Sequence, residues 1–183
     1  MSLLELLKAT FVFVAVTSAL DRLSVSAESD NNATTSTMRF NQTSATLDYH
    51  VVMLDAVNKE RIAHGLPSLC RNIKLRNAAL LHAKDMATND FVNHTGSNGS
   101  SIIMRAEAQG YEWNSLAENI AAGQASVGSV MRSWMNSPPH LANVLSTAIT
   151  MFEVGYYFVA NSTYKHYWTQ FFGSSSIEKC SSV

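Results

Sequence analysis

The chain closes with two aromatic and β-branched runs, MFEVGYYFVA (151–160) and YKHYWTQFFG (164–173), with only Asn161-Ser162-Thr163 between them. Phe, Tyr, Val and Trp suit a pleated, half-buried surface, so this pattern predicts an antiparallel hairpin with strands over about 151–160 and 164–173. The preceding residues follow a different period. Leu47, Val51, Leu54, Val57 and Arg61 recur at helical spacing up to Gly65, predicting a helix over about 48–64. A second helix is predicted over about 73–90, with Asn72 as its N-cap and Leu75, Ala78, Ala79, His82, Ala83 and Met86 on one face. Shorter helices follow over about 100–109, stopped by Gly110, and over about 126–136. Ser137-Pro138-Pro139 then reads as an N-cap with prolines at the first two helical positions, starting a helix to about Leu145. Residues 115–121 (SLAENIA) alternate only partly, leaving strand and loop both open. Helices followed by a terminal hairpin imply an α+β layered domain.

The 183 residues suffice for one domain with its own core. Net charge is −1, so there is no basic field to attract nucleic acid or an anionic membrane. Residues 9–20 (ATFVFVAVTSAL) are too short an apolar run to span a bilayer, and no stable transmembrane insertion is expected. They fit the apolar region of a signal peptide spanning 1–27, cut after Val25-Ser26-Ala27, although Glu5 offsets Lys8 ahead of it. Residues 28–46 are rich in Thr and Ser without apolar periodicity and read as a flexible leader; the domain proper is placed at 47–183. Sequons occur at Asn32, Asn41, Asn93, Asn98 and Asn161, as in a secreted glycoprotein. The two cysteines, Cys70 and Cys180, would form one bridge in an oxidising compartment, the other reading being two free thiols.

Three residues carry candidate chemistry. His94 lies in a loop of Asn, Gly, Ser and Thr, Glu118 in the 115–121 segment, and His140 in the first turn after the two prolines. Two imidazoles and a carboxylate can hold a divalent cation while leaving a position open, the ligand set of several hydrolytic zinc sites. The same three can equally form a hydrogen-bonded polar cluster with no ion. The start of a helix keeps a nearby histidine neutral, the state a metal needs. His82, on an apolar stripe, reads as a hydrogen-bonded core imidazole. No nucleophile elbow, phosphate cradle or dinucleotide fingerprint is present in the sequence.

The ordered blocks Leu54-Asp55-Ala56-Val57-Asn58-x-x-Arg61, Gly65-Leu66-Pro67-x-Leu69, His82-Ala83-x-Asp85-Met86-Ala87, His94, Gly110-Tyr111, Glu118-Asn119-Ile120-Ala121, Trp134-Met135-x-Ser137-Pro138-x-His140, Val154-Gly155-Tyr156 and Tyr167-Trp168-Thr169-Gln170-Phe171-Phe172-Gly173 resemble the CAP or SCP superfamily. That superfamily comprises the cysteine-rich secretory, antigen 5 and pathogenesis-related class 1 proteins. Within it the chain is most similar to the short single-domain type of bacteria, fungi and oomycetes. The resemblance implies a three-layer α-β-α sandwich around a central antiparallel sheet. It also implies a central cleft with two histidines and two acids, matching His94, Glu118 and His140. The second acid falls at Ser137, which is uncharged, and Glu153 is the candidate replacement. The function implied is that of a secreted, non-enzymatic protein that binds a sterol, a fatty acid or an extracellular partner, in defence or host interaction. Its cleft would hold Zn²⁺ or Mg²⁺ weakly. The alternative is a metal-assisted extracellular hydrolase, protease-like, with Glu118 and His140 as its catalytic pair.

Overall fold

The computed structural model describes residues 48–181. The expected signal peptide (1–27), the leader (28–46) and the sequons at Asn32 and Asn41 lie outside the described residues. The elements are α1 (Tyr49–Ala63), β1 (Cys70–Arg71), α2 (Ile73–Thr88), α3 (Ile102–Ala108), β2 (Ser115–Ala122), α4 (Val127–Met135), α5 (Pro138–Val144), β3 (Met151–Phe158) and β4 (His166–Ser174). Among the described residues, no helix is long and apolar enough to cross a membrane.

The strands form one sheet in the order β1-β3-β4-β2. The β3–β4 hairpin is antiparallel, as its sequence predicts, and β2 joins β4 antiparallel with Glu118 opposite Phe171. The expected antiparallel sheet is nevertheless mixed, because β1 pairs parallel with β3 through Cys70–Met151 and Arg71–Phe152. A strand of two residues has no legible period. The long chain excursion separating β1 from β3 also permits a parallel crossover, which a tight hairpin does not.

Successive side chains on a strand point to opposite faces, and this divides the core in two. On one face Phe152, Val154, Trp168 and Phe172 pack with Met53 and Val57 of α1, Val130, Met131 and Trp134 of α4, and Val144 of α5. On the other face Met151 and Phe171 pack with Leu75, Ala78 and Ala79 of α2 and Ala106 beyond α3's first turn. The result is the three-layer α-β-α sandwich.

Polar residues of the sequence blocks clamp these layers. Asn58 of α1 donates from Nδ2 to the Leu69 carbonyl (3.0 Å) and accepts from the Leu69 N–H (2.8 Å), fixing the turn after Gly65. The fully buried Arg61 donates to the carbonyls of Pro67 (2.9 Å), Val144 (2.8 Å) and Ser146 (2.8 Å), tying α1 to the end of α5. Cys70 and Cys180 form a disulfide with their Cα atoms 5.6 Å apart, which pins the C-terminal tail beside β1. Asn72, the N-cap of α2, reinforces this by donating to the Lys179 carbonyl (3.1 Å).

Two further contacts fix β3. The first is the seat of α2: Gly155 on β3 lies so close to the helix that a Cβ there would run into the backbone of Ala79 and Leu80. The second is at the open edge of β3, where the buried Glu153 carboxylate accepts from His50 Nδ1 (3.0 Å) and Arg71 Nε (2.6 Å). Burial would raise the Glu153 carboxyl, but the hydrogen bonds from His50 and Arg71 outweigh it and hold the group below the usual carboxylate range.

Gly155→Ala is therefore expected to destabilise the domain by about 3 kcal/mol, the upper part of the range for overpacking, because backbone and not a flexible side chain must give way. Urea unfolding would measure this, and a loss under about 1 kcal/mol would contradict the close seat of α2. Glu153→Gln is expected to cost about 3 kcal/mol near pH 7, since it strips the charge that His50 and Arg71 face. The depressed carboxyl contributes stability above its unfolded value, and this is lost as pH falls through its folded value. Wild type should thus lose more stability than Glu153→Gln on going from pH 5 to pH 3. Equal losses in paired denaturation curves would contradict the assignment.

Candidate functional site

Glu118 stands in the middle of β2, the edge strand, and its carboxylate is almost fully buried on the α2 face. Three segments meet there. His94, in the loop after α2, places Nδ1 2.8 Å from Glu118 Oε1. Arg105 of α3 donates from a terminal guanidinium nitrogen to Glu118 Oε2 at 2.7 Å and, from the same nitrogen, to the His94 carbonyl at 3.0 Å. His82 of α2 lies 4.0 Å from Oε1 and hydrogen-bonds the Asn93 carbonyl through Nε2 at 3.0 Å. It is the buried, hydrogen-bonded imidazole that its apolar stripe predicts, bonded through Nε2. Burial lowers its pKa, Glu118 acting in the opposite sense and Arg105 in the same.

His140 approaches from the other layer. It is the third residue of α5, after Pro138 and Pro139. Ser137, the N-cap, makes no side-chain capping bond; its hydroxyl instead lies 2.8 Å from His140 Nδ1. Proline at the second helical position offers no N–H, which removes one of the two usual capping donors and leaves the hydroxyl free for the ring. The helix is held against β2 by Asn119 and Asn143. Asn119 donates to the His140 carbonyl (3.1 Å) and to Gln170 Oε1 (3.0 Å), while Asn143 donates to the Glu118 carbonyl (3.1 Å) and Asn119 Oδ1 (2.8 Å). Burial lowers the His140 pKa below its ordinary 6.5, and the neighbouring His94 lowers it further.

The fold thus brings His94 onto Glu118, while Asn119 and Asn143 tie α5, the helix that carries His140, to the same strand. It does not bring Glu153 to them. Glu153 and Glu118 are both in register with Phe171 of β4, on opposite sides of it, roughly 10 Å apart by strand spacing. Each is committed to its own cationic partners. Sequence reasoning missed Arg105, His50 and Arg71. The signal for Arg105 was present: it sits three residues after Ile102 and beside Ala106, on the side of a short helix that faces the core.

The carboxylate of Glu118 accepts only, so His94 must carry its proton on Nδ1 when neutral, leaving Nε2 as a bare lone pair. His140 likewise has Nδ1 engaged and Nε2 uncommitted. The His94 side chain is 59% exposed. A cleft of about 370 Å³ opens beside it, walled by Thr95, Ser101, Ile102, Leu116, Ala117, Glu118 and Asn143. Among the described residues, no group of three or more His, Cys, Asp or Glu side chains is arranged to hold a metal ion. Both Glu118 oxygens are already bonded. The His94 and His140 rings are each held through Nδ1, an arrangement also found behind metal-ligating histidines. Of the sequons within the described residues, Asn93, Asn98 and Asn161 are all exposed.

The family profile described as cysteine-rich secretory protein family, CAP, matches residues 54–172, well over half of the chain. The chain is similar to the uncharacterized protein YkwD of Bacillus subtilis, 30% identical over 108 residues, which cover 59% of this chain and 42% of that protein. It is also similar to the uncharacterized membrane protein YlbC of the same bacterium, 28% identical over 103 residues, covering 56% and 30%. The chain therefore spans less than half the length of either relative. Among solved structures, an extracellular SCP-domain protein from Bacillus anthracis superposes with a TM-score of 0.62 at 26% identity, over 69% of this chain and 40% of that one. An outer surface protein from Borrelia burgdorferi gives 0.59 at 21% identity, over 67% and 90%, a likeness of fold. With the profile and the helix–sheet–helix layering in agreement, the chain belongs to the cysteine-rich secretory protein (CAP) family.

Proposed function

We propose that this chain is an extracellular binding module, with His94 and His140 forming a weak, proton-sensitive site for a divalent cation such as Zn²⁺ or Mg²⁺. Glu118 and Ser137 orient the two rings and are not ligands themselves. The observation that carries this reading is that each ring has Nδ1 engaged, His94 by Glu118 and His140 by Ser137, both at 2.8 Å, with Nε2 left over. An ion held by two imidazoles would keep positions for oxygen atoms of a partner. Arg105 already neutralises Glu118, so the ion gains little from the carboxylate charge, and affinity is correspondingly low.

Binding is favoured over hydrolysis because both Glu118 oxygens are occupied, leaving no free general base there. An extracellular setting is supported by the Cys70–Cys180 disulfide and by the similar extracellular protein of Bacillus anthracis. The cleft beside His94 mixes Ile102, Leu116 and Ala117 with Thr95, Ser101 and Asn143, which suits the surface of an extracellular partner better than enclosure of a whole sterol or fatty acid.

Isothermal titration with Zn²⁺ tests the reading. Wild type should bind one ion, the His94→Ala/His140→Ala pair should lose it, and Ser137→Ala should weaken it about tenfold by freeing the His140 ring. A proton and the ion compete for His140, whose folded pKa lies below 6.5, so affinity should hold from pH 8 to 7 and then fall as pH drops through that value. Unchanged zinc binding by the double variant would reject the site.

A further inference from the structure

A second cleft, separate from the one beside His94, lies between α2 and α3, with a volume of about 430 Å³. Ala78 and Leu81 of α2 form one apolar wall, and Met104 and Ala108 of α3 the other. Leu81 and Met104 are 53% and 55% exposed, so a large apolar side chain on each wall is half open to solvent. The unbranched methionine can reshape itself around an incoming group.

Charge on this cleft is one-sided. His82 is neutral near pH 7 because burial lowers its pKa, so the charged lining residues are Asp85 and Arg105. Arg105 is matched by Glu118 at 2.7 Å, whereas Asp85 makes no salt bridge among the described residues. Burial would raise the Asp85 carboxyl, but hydrogen bonds from Ser97 and Asn89 hold it below the usual carboxylate range and therefore ionised. Its Oδ1 accepts from the Ser97 hydroxyl and from Asn89 Nδ2, and its Oδ2 from the Ser97 N–H at 2.8 Å. A carboxylate oxygen has two acceptor positions, so Oδ2 keeps one open. The same bonds fix the carboxylate in place before any partner arrives, which lowers the ordering cost of binding.

We propose that the α2–α3 cleft docks an extended peptide segment of a partner protein, one in which an apolar residue and a Lys or Arg stand two positions apart. The apolar side chain enters between Leu81 and Met104, and the cation reaches the open acceptor of Asp85. Spacing selects this pattern. Leu81 and Asp85 are one turn apart on α2, about 6 Å along its axis. Side chains two apart on one face of an extended chain are separated by about 6.6 Å. An extended segment fits better than a helical one because Asn98 and Gln109 bring side-chain amides to the rim. Extended backbone still has N–H and C=O groups to pair with them, and a helix does not. An acidic segment is disfavoured, since the one cation lining the cleft is already matched. The inference does not depend on cation binding by His94 and His140.

The test uses the isotope-labelled full chain, disulfide intact and unglycosylated, with chelator present so that the histidine pair is silent. The pentapeptide Arg-Ser-Leu-Ser-Arg, blocked at both ends, holds the pattern in both chain directions. Methyl resonances of Leu81 and Met104 follow it near pH 7, and their shifts should saturate. Gln-Ser-Leu-Ser-Gln should bind about threefold more weakly, and Glu-Ser-Leu-Ser-Glu more weakly still. Arg-Ser-Ser-Ser-Arg should lose about tenfold, and Leu81→Ser and Met104→Ser should each cost the parent peptide about fivefold. Asp85→Asn should abolish the preference for Arg over Gln. Should that variant disturb the 97–100 loop in its amide fingerprint, wild type gives the same reading: the preference should vanish between about 20 mM and about 500 mM salt. Shifts that do not saturate, equal or tighter binding of the Glu peptide, or unaltered affinity in both the Leu81 and Met104 variants would overturn the proposal. So would an Arg preference untouched by salt and by Asp85→Asn. Blocked arginine alone binding as tightly as the pentapeptide would also overturn it, marking a site for a small cation instead.

Discussion

The seat of α2 on Gly155 is the constraint from which the functional face follows. A helix normally stands off a sheet by the length of the side chains between them, but here backbone meets backbone, so α2 has little room to shift or rotate. Ala78 and Ala79, too small to prop the helix away, make the approach possible and join Phe171 in the core. His82 follows one turn later, over the row that holds Glu118, and its bond to the Asn93 carbonyl fixes the start of the loop carrying His94. Arg105 then completes the arrangement by gripping Glu118 and the His94 carbonyl together. Glycine at 155 and alanine at 78 and 79 thus set the distance at which three separate segments converge on one carboxylate.

Much of this was legible in the residues because local periodicity and turn chemistry agree with the final packing. The five helices and the terminal hairpin fall close to their predicted bounds, and Gly65 and Gly110 have the positive φ expected of helix stops, +73° and +68°. The 115–121 segment was ambiguous for a physical reason. β2 carries partly buried residues on both faces, with full burial only at Glu118 and Asn119, so polar side chains occupy the positions where alternation would place apolar ones. β1 was illegible because two residues carry no period.

The site was half legible. Residue type singled out His94, Glu118 and His140 as candidates, but not their partners, since those depend on which nitrogen or oxygen is engaged by what. Arg105 changes the meaning of Glu118 from a free anion to one half of a buried ion pair, and no spacing along the chain announces that pairing. Asn119 and Gln170 belong to blocks that the resemblance picks out, yet their work appears only in three dimensions: with Asn143 they lock α5 against the edge of the sheet and so position His140.

Charge balance within the sheet bears on the state of His140. Glu118 is matched by Arg105, Glu153 is matched by Arg71 with His50, and the position where a second acid is expected carries Ser137. Each of these two buried carboxylates is therefore matched by its own cationic partner. Burial and the charge of His94 both oppose protonation of His140, which keeps its ring open to other partners near neutral pH. Replacing Ser137 by an acid would oppose this, because an added negative charge beside Nδ1 would favour the protonated His140 ring.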